Sequence, residues 1–216
     1  MIITLSNAKK ETGIHYTVNH TGKMEGMQSL STSNLVNPFC KAHRNCDGSI
    51  CQKCYAYTQM QRYTSMQKCL ADNFNILTSK LLTDEQIPII NASVFRFEAF
   101  GDIYNAVQVA NYFNICKKNP YTRFALWTKN PAIIEKAIQA GFEKPNNLVV
   151  ILSSLYMNQV ANAEKWAFVD KVFTVYDSET IERENVNINC GARSCLACQR
   201  CYNKDNGKKY INEKLK

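Results

Sequence analysis

Between residues 92 and 179, apolar and polar positions change spacing in blocks, and the blocks predict strands and helices by turns. ASVFRFEAFGD (92–102) reads as a strand with a polar end. IYNAVQVANYFNICKKN (103–119) repeats apolar residues at helical intervals, among them Val107, Ala110, Phe113 and Ile115. YTRFALWTKN (121–130) is strand-like. PAIIEKAIQAGF (131–142) predicts a helix opened by Pro131 and closed by Gly141: proline is preset for a first helical turn, glycine for the residue past a last one. NNLVVILSSL (146–155) is apolar almost throughout, as strands covered on both faces are. NQVANAEKWAF (158–168) predicts a short helix and DKVFTVYDSE (170–179) another strand. Upstream, YAYTQMQRYTSMQKCLADNFNILTSKLL (55–82) has helical periodicity with neither proline nor glycine.

Strand centres near residues 95, 125, 150 and 174 recur at an interval that holds one strand, one crossover helix and two loops. Alternation of this kind predicts parallel strands joined by βα units in an α/β fold. Two architectures fit: a partial (β/α) barrel and an open doubly wound parallel sheet. The barrel is favoured by the polar residues that collect at the strand ends: Glu98 and Asp102, Thr128 and Lys129, Ser153 and Ser154, Tyr176 and Asp177. In either architecture ligands bind at the carboxyl ends of parallel strands, and a barrel gathers those ends around one mouth. No linker divides the chain. It reads as one domain over 1–216: an N-terminal extension (1–39), a first cysteine segment (40–54), a βα barrel core (55–185) and a second cysteine segment (190–201). No G-x-G-x-x-G or Walker A run appears, which argues against those nucleotide sites.

At 216 residues with 45% hydrophobic and 20% charged residues, the chain has an ordinary globular composition. No apolar run reaches the ~18 residues of a membrane span, and the start lacks the pattern of a signal peptide. The expected location is the cytoplasm, in a host if the gene is viral. Ten cysteines then need a reason other than a secreted disulfide framework. Eight of them fall in two tight groups, Cys40-x5-Cys46-x4-Cys51-x2-Cys54 and Cys190-x4-Cys195-x2-Cys198-x2-Cys201. Short spacings put thiols on one side of a turn, which suits a metal better than distant crosslinks. Cys69 and Cys116 stand alone in helical patterns and read as buried apolar residues.

Four thiols satisfy either tetrahedral zinc or an iron–sulfur cluster. A zinc ribbon pairs two C-x2-C units some 15–20 residues apart, whereas most of the protein separates these groups. Cys195-x2-Cys198-x2-Cys201 reproduces the first three ligands of a ferredoxin-type run, with Cys190 as the candidate fourth. The expected cofactor is therefore one or two [4Fe-4S] clusters, with zinc as the alternative. Either way, the formal charge of +8 overstates the basic character, because bound cysteines are thiolates. Nucleic acid is a weakly supported partner.

NPFCKAHRNCDGSICQKCYA resembles the cysteine-rich opening of bacteriophage proteins of the gene-product-88 type, with C-x5-C leading into a C-[YF]-A ending. FRFEAFGDI is similar to that family's Arg-x4-Gly-Asp strand end, here Arg96, Gly101 and Asp102. FALWTKNP matches its aromatic-x-x-Thr-[KR] strand and SCLACQRCY its closing cysteines, so the motifs run in order from about Ser29 to Tyr202. The resemblance implies a phage or prophage iron–sulfur protein. A more distant resemblance is to radical S-adenosylmethionine (SAM) enzymes, which place clustered cysteines on the first loop of a partial barrel. Their C-x3-C-x2-C pattern departs from the x4 and x2 spacing here, and the aromatic residue they place before the third cysteine is Lys53, with Tyr55 following Cys54. That resemblance implies a cluster on Cys46, Cys51 and Cys54, a SAM ammonium on Glu98 or Asp102, and its ribose or carboxylate on Ser153 or Ser154.

Blander roles compete for the same residues. Asp102 and Glu98 suit a helix N-terminus, Arg96 suits an ion pair with either, and Lys129 suits a solvated helix start. Tyr55 reads as a shield beside the metal or as core, Trp127 and Trp166 as core. Only His43 lies where it could replace a thiol ligand. The expected function is iron–sulfur binding, in a redox, structural or radical-SAM-like role. The competing class is a zinc-stabilised nucleic-acid-binding or interaction module.

Overall fold

The structure, a computed structural model, describes residues 2–215. Its elements in chain order are α1 (Leu5–Thr12), β1 (Thr17–Val18), β2 (Gln28–Leu30), α2 (Pro38–Arg44), α3 (Tyr55–Arg62), α4 (Thr64–Ser79), β3 (Val94–Phe97), α5 (Ala106–Lys118), β4 (Arg123–Thr128), α6 (Pro131–Gln139), β5 (Leu148–Ser153), β6 (Lys171–Tyr176), α7 (Ser178–Glu184), α8 (Cys195–Cys198) and β7 (Tyr210–Lys214). The seven strands form one open sheet in the order β1-β2-β3-β4-β5-β6-β7. All neighbours from β2 to β7 are parallel, and β1 pairs antiparallel with β2. The order never reverses, so the switch point of a doubly wound sheet is absent, although the sheet is open and mostly parallel as that alternative expected. The sheet does not close on itself.

Strand side chains alternate between two faces. Leu30, Phe95, Phe97, Phe124, Leu126, Leu148 and Val150 face one way and are buried against Leu77 of α4, Val109 and Phe113 of α5, and Ile134 of α6. Phe97 stacks on Tyr112 at 4.3 Å and on Phe124 at 5.3 Å between ring centroids. Buried aromatics of this size contribute roughly 1.5–3 kcal/mol each. On the other face Val94, Ala125, Val149 and Ile151 pack with Met27 and Tyr202, and no α4–α6 residue joins them. The loop before β2 and the second cysteine segment cover this face.

Three expectations from periodicity change. The helical pattern of 55–82 breaks at Tyr63, whose backbone is extended (φ −126, ψ 94), giving α3 and α4. The Gln67 amide donates to the Met60 carbonyl across the break at 2.6 Å. Residues 158–168 form turns rather than a helix. There the Ala161 amide donates to Ser154 Oγ and the Glu164 amide to Asn162 Oδ1, local bonds that compete with a helical ladder. The expected extension 1–39 also supplies β1 and β2, and the segment after the second cysteine group supplies β7. Among the described residues no helix is long and apolar enough to cross a membrane.

Candidate functional site

The first cysteine segment leaves the carboxyl end of β2 and is folded by caps. The Asn37 side chain accepts from Phe39 N and Pro38 opens α2, which puts Cys40 in that helix's first turn. Asn37 Nδ2 also donates to the Asp102 carbonyl at 2.8 Å, tying α2 to the loop after β3. Ser49 caps a 3-10 turn, Ile50–Lys53, by accepting from Cys51 N, and Cys54 precedes α3 as its N-cap. The Ile50 amide donates to the Leu155 carbonyl, anchoring this part of the loop beyond β5 instead.

Cys40, Cys51 and Cys54 line a cavity of about 60 Å³ with Asn34, Phe39, Arg44, Phe100, Gly101, Asp102 and Lys129. These residues follow the carboxyl ends of β2, β3 and β4, where a parallel sheet binds its ligands. Cys46 is elsewhere: its sulfur lies 3.7 Å from the Tyr156 hydroxyl, because the anchor beyond β5 draws that stretch away. Asn34 Nδ2 donates to Cys54 Sγ at 3.8 Å, and Asn34 Oδ1 is buried with no hydrogen-bond partner. Burial raises the Cys40 thiol well above its ordinary pKa, and Asp102 and Glu98 add to the rise. Burial raises Cys51 too, opposed by Lys129. These thiols are protonated near neutral pH, so a metal must displace their protons.

Asp102 is buried, and its oxygens are engaged: Oδ1 accepts from Thr128 Oγ1 at 2.5 Å and Ile103 N at 2.8 Å, and Oδ2 from Lys129 N at 2.9 Å. Glu98 does not line the cavity. Its φ of +53 turns the side chain to the helix-covered face, where the carboxylate accepts from Thr32 N, Thr32 Oγ1, Gln108 Nε2 and Tyr112 OH. Burial pushes its pKa up to about 7, against the bonds from Tyr112 and Thr32 that favour the charged form. Ser153 and Ser154 are buried outside the cavity, with Ser154 Oγ 2.9 Å from Thr174 Oγ1. Tyr55 is 57% exposed, which overturns its reading as core. Its hydroxyl donates to the Ala99 carbonyl. His43 Nδ1 bonds the Phe39 carbonyl of its own helix at 2.9 Å.

The second group lies on the face away from α4–α6. Ser194 caps α8 by accepting from Ala197 N, and Gln199, left-handed at φ +49, turns the chain into a 3-10 turn, Arg200–Tyr202. This pair of short turns packs Cys195 and Cys201 against the sheet beside Met24 and Trp127. Cys190 is held beside β7, its amide donating to the Asn212 carbonyl. Burial raises the Cys190, Cys195 and Cys201 thiols, Cys201 to about 12. Neighbouring sulfurs of the same group add to these rises: Cys195 and Cys198 to that of Cys190, Cys198 to that of Cys195, and Cys190, Cys195 and Cys198 to that of Cys201. The expected ion pair from Arg96 to Glu98 or Asp102 does not form, because Glu98's turn sends the two side chains to opposite faces. The guanidinium lies 4.1 Å over the Trp127 ring instead. Of the lone cysteines, Cys116 is buried as expected, whereas Cys69 is half-buried and lines a groove of about 390 Å³ with His15, Tyr16 and Met66.

As the side chains stand, no three histidine, cysteine, aspartate or glutamate residues among those described converge closely enough to hold an ion. A family model described as gene product 88 matches residues 1–213. The chain belongs to the gene product 88 family. That membership covers every motif that carried the resemblance to phage proteins, from the first cysteine segment to the last. No curated protein and no solved structure matches the chain. Of this family member's cavity residues, Asn34 carried no functional expectation, and Lys129 was expected only as a strand-end residue or a solvated helix start. Lys129 was signalled by its place at the end of β4, while Asn34 sits in a polar run with no distinguishing mark.

Proposed function

We propose that this gene product 88 protein binds iron–sulfur clusters at two separate centres, and that the first keeps one coordination position free of cysteine. The observation that carries the reading is the division of the first group. Cys40, Cys51 and Cys54 share a cavity with Asn34, Asp102 and Lys129, while Cys46 is held away on Tyr156. The donor set fits such a group. Thiolates are its ordinary ligands, and each cysteine sulfur turns on a single side-chain torsion. Cys40, Cys51 and Cys54 would hold the first centre, and Cys190, Cys195, Cys198 and Cys201 the second. Bound at the first, a cluster with one iron not held by cysteine supplies electron transfer and a Lewis-acidic position.

The chain's own residues have defined parts. Asn34 steadies the Cys54 sulfur, Lys129 brings a cation beside Cys51 and Asp102, and Asp102 fixes the loop by bonding the backbone after β4. The uninterrupted strand order and the helices gathered on one face support a partial-barrel, radical-SAM-like scaffold. SAM as the occupant is the narrower form of the reading. A cavity of about 60 Å³ admits one or two waters, so an iron–sulfur cluster already requires the 40–54 loop to open, and SAM, which occupies several hundred Å³, requires it to move further.

Single cysteine-to-serine variants test the proposal after anaerobic reconstitution with iron and sulfide. Cys46→Ser is expected to retain both centres, while Cys40→Ser, Cys51→Ser and Cys54→Ser each lose the first. Loss on Cys46→Ser equal to the others would remove the open position. SAM added to reduced protein should alter the spin-resonance signal of the first centre; an unchanged signal and no 5′-deoxyadenosine would end the narrower form alone.

A further inference from the structure

Arg96 is a cation on the face of β3 away from α4–α6, with no carboxylate partner among the described residues. Its Nη1 lies 3.3 Å from the Met24 sulfur, its guanidinium stacks 4.1 Å over Trp127, and its Nε is buried without any hydrogen-bond partner. A half-buried guanidinium without a counter-charge carries a desolvation cost, and a single aromatic face offsets only part of that. Met24 and Trp127 pack against the same buried cluster as Cys195 and Cys201, and Tyr202 meets the Trp127 ring edge-on at 6.0 Å. Lys23 is a second cation at this place, 3.9 Å from Cys190 Sγ, but it is already paired with Glu213 at 2.8 Å. Arg96 is a cation beside the second cysteine group that no carboxylate among the described residues pairs; Lys171, which also lies near Cys201, donates to Asn206 Oδ1 and the Lys208 carbonyl.

We infer that Arg96 is the counter-cation of the second centre, held in place by Trp127 and Met24 so that its charge answers the ligated thiolates of Cys190, Cys195, Cys198 and Cys201. This rests on the iron–sulfur reading of that group. Four thiolates around a cubane leave a net charge of about −2, and ligation places that charge beside the guanidinium. Reduction adds one electron and no proton, so a fixed neighbouring cation favours the reduced form and raises the potential. Arg96 thereby acts on the centre without being one of its ligands.

The test is an anaerobic titration of reconstituted full-length protein with dithionite, following the centre whose signal disappears in Cys201→Ser. Arg96→Met keeps the stem over Trp127 and removes the charge; Arg96→Lys keeps the charge. Arg96→Met is expected to disfavour reduction at least tenfold, a fall of about 59 mV for one electron, with Arg96→Lys returning most of it. A potential in Arg96→Met equal to the parent's would overturn the inference and leave Arg96 as packing for Trp127. Unvaried protein that takes up no iron and sulfide at Cys201 would overturn the reading beneath it as well.

Discussion

Gly101 fills the tightest point of the loop after β3. A Cβ there would meet Glu98 Oε2 and the Thr32 carbonyl at 2.6 Å and Thr32 Oγ1 at 2.7 Å. Gly101→Ala should therefore destabilise the fold by about 1–3 kcal/mol in urea denaturation. Gly191→Ala, with nothing within 4 Å of its added carbon, should stay within about 0.5 kcal/mol. Glu98 itself occupies the left-handed region, a strain of roughly 1–3 kcal/mol that its four bonded donors help to hold. Its raised pKa has a signed consequence. Between an ordinary value of 4.5 and about 7 the folded state holds the proton more tightly than the unfolded one, so stability falls as pH rises through that window. The whole effect amounts to about 3 kcal/mol. Urea midpoints at pH 5 and pH 8 should separate more for the parent than for Glu98→Gln, and equal separations would contradict the assignment. Strand periodicity put Arg96 and Glu98 on one face; only the positive φ of Glu98, which no neighbouring glycine or asparagine announces, divides them.

Among the elements, β3, β4, β5 and β6 were legible because each is a compact apolar run between turn signals. β2 was not. QSL is three residues long with one apolar side chain, and it is a strand because β3 offers it a parallel edge and β1 pairs with its other side. β7, YINEK, is polar for the same reason: it lies beside β6 at the end of the sheet, with one buried position. A chain beginning at residue 40 would leave the β3 edge uncovered and strip Leu30 and Ile14 from the main core. Such a truncation should lose its cooperative thermal transition by circular dichroism, whereas removal of a mere extension would keep it. At the candidate site, spacing identified all the thiols but not their partition. Which cysteine leaves the first group depends on the contact between Ile50 and Leu155, a pairing far apart in sequence.

For the molecule as a whole, the two cysteine groups lie in different places on one sheet: the first beyond the carboxyl ends of β2 to β4, the second on the face away from α4–α6. Their loading alters its charge. The formal +8 counts every thiol as neutral, and a three-thiolate and a four-thiolate centre together remove about three charges. Native isoelectric focusing should show reconstituted protein shifted to lower pH than the metal-free chain. The central claim is that these thiols hold inorganic iron and sulfide. Its most direct test is the iron, acid-labile sulfide and zinc content of anaerobically prepared full-length protein. The account predicts coloured protein with iron and sulfide in near-equal amounts and little zinc; colourless protein with stoichiometric zinc and no sulfide would contradict it.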